Sequence, residues 1–428
     1  MSASPMRIFS LQRIKALHQQ ANFSGLLAST FALGTAFSFA APFLSKWGLE
    51  EVGMTPSGFG LFMTATSLCA ILASTALARL SDSRFSRRQM LLLGSIGGIL
   101  GFAGYALVRN TAALLAIGCS FHAVASICFA QLFSHVRETY QLSGDNSTSS
   151  SISMSVVRVT FSFSWTVGPA LGATMLLAFG FRGLFLAAAL LYTVFFIGVL
   201  RFVPERKPKA SESPSGPPSI WTTLRHPKLL LSFIAFAAVF AATAINMMNL
   251  PLAITRSLNG SESDLGIIFA IGPIAEIPLM IWFGQLATRG HQLLLIKLGF
   301  VITGLYFAGL FMAFQPWHVY TLQLLSGASF AILSNVAILY FQDLAPTQMG
   351  LATSLFSNAG AIGNLLGMLT FGFILEQWGH QYTFLVCATL TFFGLFLILR
   401  VKDGPTKHEK AETPNRDLRQ PTASQTEA

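Results

Sequence analysis

Two charged side chains stand where charge is expensive. Arg158 lies about ten residues into one apolar run and Glu276 about eleven residues into another, so helical rise would carry each roughly 15 Å deep. A charge at the centre of a bilayer costs about 2.5–3.5 kcal/mol on insertion scales, which is why such residues are functional and paired. An arginine and a carboxylate at similar depth can bridge two helices. A proton reaching Glu276 would neutralise it and loosen the bridge, and release of that proton would restore the pair. The chemistry expected of Arg158 and Glu276 is therefore proton coupling, set against the plainer alternative of a structural ion pair.

The elements that would hold such a pair follow from composition. Of 428 residues, 53% are hydrophobic and 10% charged, too few charges to coat a soluble globule of this size. A surface facing hydrocarbon needs no such coat. The formal charge of +10 is scattered through short gaps between apolar runs and forms no basic stripe, so nucleic acid is not an expected partner. Cys69, Cys119, Cys128 and Cys387 sit inside apolar runs at no metal-ligand spacing, and no metal is expected.

Twelve runs reach the length of about 20 residues that a bilayer crossing needs. They are Phe23–Leu44, Gly58–Ala78, Met90–Val108, Ala112–Ser134, Ser151–Ala178, Arg182–Phe202, Leu229–Leu250, Leu265–Ala287, Leu293–Phe314, Trp317–Tyr340, Leu351–Leu375 and Tyr382–Leu399. The expected fold is an all-α membrane protein with twelve transmembrane helices in two six-helix bundles. Residues 1–202 form the first bundle, 203–228 a Pro- and Ser-rich cytoplasmic linker, 229–400 the second bundle and 401–428 a disordered cytoplasmic tail. No small-residue cleavage site closes the first run, which reads as a retained span. Of the 27 Lys and Arg, only Lys46, Arg109, Arg182 and Arg256 fall in outside loops if the N-terminus is cytoplasmic, and Arg158 lies within a span. That bias places both termini in the cytoplasm.

The loop between the second and third runs reads Ala78-Arg79-Leu80-Ser81-Asp82-Ser83-Arg84-Phe85-Ser86-Arg87-Arg88. Asp82 can accept hydrogen bonds from a helix N-terminus while Arg87 and Arg88 hold the cytoplasmic face, making a latch between bundles. Plain positive-inside topology explains the arginines but not Asp82. The fifth run carries Gly168-Pro169-Ala170-Leu171-Gly172 and the eleventh Gly363-Asn364-Leu365-Leu366-Gly367, small-residue spacings that let helices approach closely. Two related halves suit a carrier that rocks around a central site.

These pieces resemble the major facilitator superfamily. The Asp82 loop is similar to its loop signature, with Ala78 for the usual Gly and Ser83 for the first basic residue. The Gly168, Pro169 and Gly172 segment is similar to its antiporter signature. Within the superfamily, four strings resemble bacterial sugar efflux transporters: Val157-Arg158 through Ser164-Trp165-Thr166-Val167-Gly168-Pro169, Glu276-Ile277-Pro278, Phe341-Gln342-Asp343-Leu344-Ala345-Pro346 and Gln131-Leu132-Phe133. Asn249 before Pro251 departs from the acidic residue expected there. The resemblance implies export of sugars or glycosides, exchanged for protons, from a bacterial cytoplasmic (inner) membrane, by a monomer whose energy source is the proton gradient and which carries no cofactor.

In that architecture Asn246, Asn249, Gln131 and Asn335 are candidates to hydrogen-bond sugar hydroxyls, and Trp165 to stack on a pyranose ring. For each, helix–helix bonding or packing is an equal alternative, and His122 is weaker still. A multidrug antiporter of the same fold is the nearest rival, with Glu276 receiving lipophilic cations. A membrane-embedded enzyme would need a catalytic constellation, and no paired carboxylates, HExxH or nucleophile with a base occurs. A passive channel is disfavoured by the two-bundle symmetry and the latch.

Overall fold

A computed structural model describes residues 22–83, 85–141, 147–205, 227–287, 290–345 and 349–401. The linker from 206 to 226 and the tail from 402 lie outside the described residues.

Ten helices among the described residues are long and apolar enough to cross a membrane. Two of them, Val156–Phe202 with 47 residues and Leu351–Leu399 with 49, would each extend roughly 70 Å if straight, more than twice the hydrocarbon thickness. Each reverses at one glycine instead. Gly180 has φ 64° and Gly379 has φ 77°, backbone that glycine adopts without steric cost. The ten helices thus supply twelve crossing segments. We label them α1 (Phe23–Glu51), α2 (Pro56–Ser83), α3 (Arg87–Leu107), α4 (Thr111–Val136), α5 (147–179), α6 (181–202), α7 (Pro227–Arg256), α8 (Glu262–Ala287), α9 (Gln292–Met312), α10 (Pro316–Leu344), α11 (349–378) and α12 (380–399).

α1 continues past its expected end at Leu44, through a tight turn at Pro42 and a wide π turn over Trp47–Glu51. Pro42 lacks the N–H that a regular helix would use, so the chain changes pitch there and continues. Ser86 caps α3 in a reciprocal box with Gln89, which stops α2 and starts α3 within a few residues.

The two halves use one packing plan. α1 packs along α5 and α6, and α7 packs along α11 and α12. A Cβ at Gly168 would overlap Ser38, and one at Gly172 would overlap the Phe39 carbonyl, so α5 lies directly on α1. Gly363 and Gly367 meet the Ala237 and Ala241 carbonyls in the same way, seating α11 on α7. Small residues four apart let backbones approach where no hydrophobic drive separates helix from lipid. The first half is filled by aromatic rings: Trp47 stacks on Tyr105 at 4.8 Å and meets Phe185 edge-on at 5.1 Å. In the second, Phe236 meets Phe300 and Phe341 edge-on at 5.4 and 5.3 Å.

Large apolar side chains cover the outside, among them Leu61, Leu190, Leu294 and Phe373. A water-soluble protein would not expose so continuous an apolar surface. Many hydroxyls inside the helices bond to their own backbone, as Thr30 does to the Leu26 carbonyl at 2.8 Å, satisfying those polar groups without water.

Candidate functional site

The bundles meet where α8 lies against α5 and α11 against α2. At Gly266 a Cβ would stand 3.1 Å from the Ala170 Cα and Ala173 Cβ, so α8 touches α5 one turn beyond Pro169. Further along the same two helices are Arg158 and Glu276. No direct ion pair joins them among the described residues. Arg158 is exposed and Glu276 half-buried, on helices that pack against one another.

α10 closes around Glu276. Gly327 brings α10 against α8, and a Cβ there would lie 3.2 Å from the Glu276 backbone nitrogen. Asn335 donates to the Met280 carbonyl at 3.3 Å, one turn beyond Glu276. It stands in a π turn over Ala331–Val336, a local widening that α-helices often carry at functional positions. One turn before Glu276, Gly272 faces the Gln323 side chain. Trp165 is half-buried and lies seven residues, or two turns, from Arg158 on the same face of α5, with no hydrogen bond from its indole among the described residues.

The remaining candidates divide. Asn246 donates to the Tyr306 hydroxyl at 3.3 Å. Asn249 is fully buried and ties α7 to α12: its Nδ2 donates to the His380 carbonyl at 2.9 Å, and its Oδ1 meets His380 Nδ1 at 2.9 Å. Gln131 is buried and accepts from Arg87 Nη1 at 3.1 Å, joining α3 to α4. Both groups are spent on helix packing in this conformation. Arg88 donates to the Leu200 carbonyl at 2.8 Å and stands 3.9 Å from Glu205, fastening α3 to the end of α6. These contacts of Arg87 and Arg88 lie within the first half. The Asp82 side chain lies outside the described residues.

At the opposite end of the molecule, Lys46 and Arg256, expected in outside loops, meet carboxylates that the sequence did not pair with them. Lys46, 9% exposed, pairs with Glu262 at the start of α8 and lies 3.6 Å from Glu50. Glu50 in turn meets Arg256 at the end of α7 at 3.1 Å. Two residues of the first half and two of the second therefore form one chain of alternating charge. Ser57 of α2 adds a 2.6 Å bond to Glu376 of α11, and Gly372 of α11 seats on the Pro56 carbonyl. This end is sealed. The only signal in the sequence was opposite charge at the ends of apolar runs that share one membrane face.

Comparison with known proteins agrees with this architecture. The Major Facilitator Superfamily model matches residues 26–248 and 233–425. A relative from Deinococcus radiodurans is 32% identical over 371 residues, covering 86% of this chain and 94% of the relative. Sugar efflux transporter A of Dickeya chrysanthemi is 29% identical over 385 residues, covering 89% of this chain and 95% of its own. Multidrug resistance protein MdtG of Proteus mirabilis is more distant, 24% identical over 384 residues, with 85% of this chain and 92% of its own covered. Among solved structures, the nucleoside transporter NupG superposes with a TM-score of 0.75 at 14% identity, covering 89% of this chain and 99% of that one. That likeness is one of fold. With an all-helical membrane architecture, two packed halves and full-length relatives, the chain is a multi-pass transporter and not an enzyme, and it belongs to the major facilitator superfamily, within its sugar efflux transporter family.

Proposed function

We propose that this protein exports sugars or glycosides from a bacterial cytoplasm in exchange for protons, by alternating access of a site between its two bundles. The observation that carries the reading is similarity to sugar efflux transporters along nearly the whole chain, 89% of it for the Dickeya chrysanthemi relative. A match of that extent includes both bundles and the interface between them. The more distant multidrug relative favours the second reading, a carrier of lipophilic cations, only at 24% identity.

In this reading Arg158 and Glu276 form the coupling pair. They lie on the packed helices α5 and α8 with no direct ion pair among the described residues, so an approach of the bundles would join them and a separation would free Glu276 to take a proton. Both termini face the cytoplasm, following the Lys and Arg bias, and the Lys46–Glu262 end is then the outer one. Asn335 and Trp165, beside the pair on α10 and α5, supply a polar contact and a stacking face for the sugar. Gly168, Pro169 and Gly172 keep α5 on α1 as the bundles rock. Asp82 with Arg87 and Arg88 latches the cytoplasmic end, and the protein works as a monomer with no cofactor and no nucleic-acid partner.

The test is efflux from cells preloaded with radiolabelled hexoses and disaccharides, or with a cationic fluorescent dye, with and without an uncoupler. Expression should accelerate uncoupler-sensitive sugar efflux. Dye efflux without sugar efflux would replace this reading with the multidrug one.

A further inference from the structure

One phenol holds two amides beside the α8 segment that carries Glu276. Tyr306 is buried on α9 and reaches between α7 and α10. Its oxygen accepts hydrogen bonds from Asn246 Nδ2 on α7 and Gln323 Nε2 on α10, both at 3.3 Å. With each NH2 group fixed toward the phenol, each amide turns its carbonyl oxygen away from it. Asn246 Oδ1 is buried and has no partner among the described residues. Gln323 is 5% exposed, and its Oε1 accepts no bond from the described residues. That oxygen faces Gly272, where a Cβ would stand 3.4 Å away, in ordinary van der Waals contact.

Both amide oxygens are held in place without donors among the described residues, and Asn246 Oδ1 is also shut away from solvent. A buried acceptor left unsatisfied carries the full cost of losing its water. A solute with two hydroxyl donors would meet that need, and a lipophilic cation without hydroxyls would leave both oxygens unpaired. Sites built this way discriminate strongly, because the wrong ligand strands the protein's own polar groups.

We propose that Asn246 and Gln323 accept hydrogen bonds from two hydroxyls of the exported sugar, and that Tyr306 is the positioning residue that aims both oxygens at it. This rests on the sugar-export reading and adds the feature of the sugar that is recognised, a pair of hydroxyl donors. Glu276, one turn from Gly272 on α8, then handles the proton beside the bound sugar rather than the sugar itself.

The experiment compares wild type, Tyr306→Phe and Gln323→Met in proteoliposomes, using a radiolabelled hexose and its singly deoxygenated analogues. Tyr306→Phe keeps the ring and removes only the hydroxyl that both amides use. Its KM for the parent sugar should rise about tenfold while the maximal rate stays within about threefold. Wild type should lose about tenfold in affinity for the two analogues that lack a contacted hydroxyl, and Tyr306→Phe less than threefold. Gln323→Met should lose discrimination at one of those hydroxyls only. Wild-type failure to carry any sugar overturns the export reading and this inference with it. Sugar transport by wild type, with unchanged discrimination among deoxy analogues in Tyr306→Phe and Gln323→Met, overturns this inference alone.

Discussion

Replacing Glu262 with Gln at the sealed end should open that end. Lys46 and Glu262 side chains are 11% and 18% exposed, so the pair is largely dehydrated. Removing one partner of a buried pair costs about 3–5 kcal/mol, because the other charge is left uncompensated. Lys46 keeps Glu50 at 3.6 Å, but Glu50 is shared with Arg256 at 3.1 Å and returns only part of the loss. A net penalty of about 2 kcal/mol against the sealed state is a reasonable figure, equivalent to roughly a 30-fold shift in its population relative to the opened one. Ser57 and Glu376 report on closure because their side chains bond at 2.6 Å across the bundles. In a background without the native cysteines, Ser57→Cys with Glu376→Cys should react efficiently with a short bismaleimide. Adding Glu262→Gln should reduce the yield severalfold. The double change Lys46→Met with Glu262→Met should recover it, since an apolar pair replaces a buried ion pair at little cost. Equal cross-linking with and without Glu262→Gln would refute the assignment of these charges as the closure of this end.

Three further predictions concern the frame. Asp82→Asn should leave membrane levels intact and slow transport strongly, as measured by initial rates at matched protein amount; wild-type rate and affinity would reduce the loop to topology. Gly172→Ala and Gly367→Ala should each cost about 1–3 kcal/mol, because the new methyl meets a backbone carbonyl of α1 or α7 that cannot turn aside; thermal unfolding in detergent reads this directly, and unchanged midpoints would mean that the helices are not packed as described. A reporter active only outside the membrane should be silent when fused after Ser211 and active after Gly260, and the opposite pair would invert the orientation.

Much of the frame was legible because a bilayer leaves few choices. Runs of about 20 apolar residues must be helices, since only helices and closed barrels satisfy their own backbone in lipid. Gly168 with Gly172, and Gly363 with Gly367, were legible as packing pairs from spacing alone. The structure adds that they mark equivalent contacts in the two halves. The candidate site was legible only in its charges. Arg158 and Glu276 declare themselves by the cost of placing charge in an apolar run. Amides do not, because an Asn or Gln in a membrane helix is as useful to a neighbouring helix as to a solute. Asn249 and Gln131 are engaged by His380 and Arg87, partners that sequence distance conceals. Tyr306 offered no signal, since its role depends on reaching two helices 60 and 17 residues away. Lys46 and Glu262, 216 residues apart, were hidden for the same reason.

The most direct test of the central claim uses purified protein in proteoliposomes with an imposed proton gradient and a radiolabelled sugar on one side. Wild type should move sugar uphill against the proton flux and stop when an uncoupler collapses the gradient. Glu276→Gln should lose the uphill component while still exchanging sugar for sugar. Uphill, uncoupler-sensitive sugar movement by Glu276→Gln would contradict the coupling role given to Arg158 and Glu276, and a wild type that moves no sugar under any gradient would contradict the account as a whole.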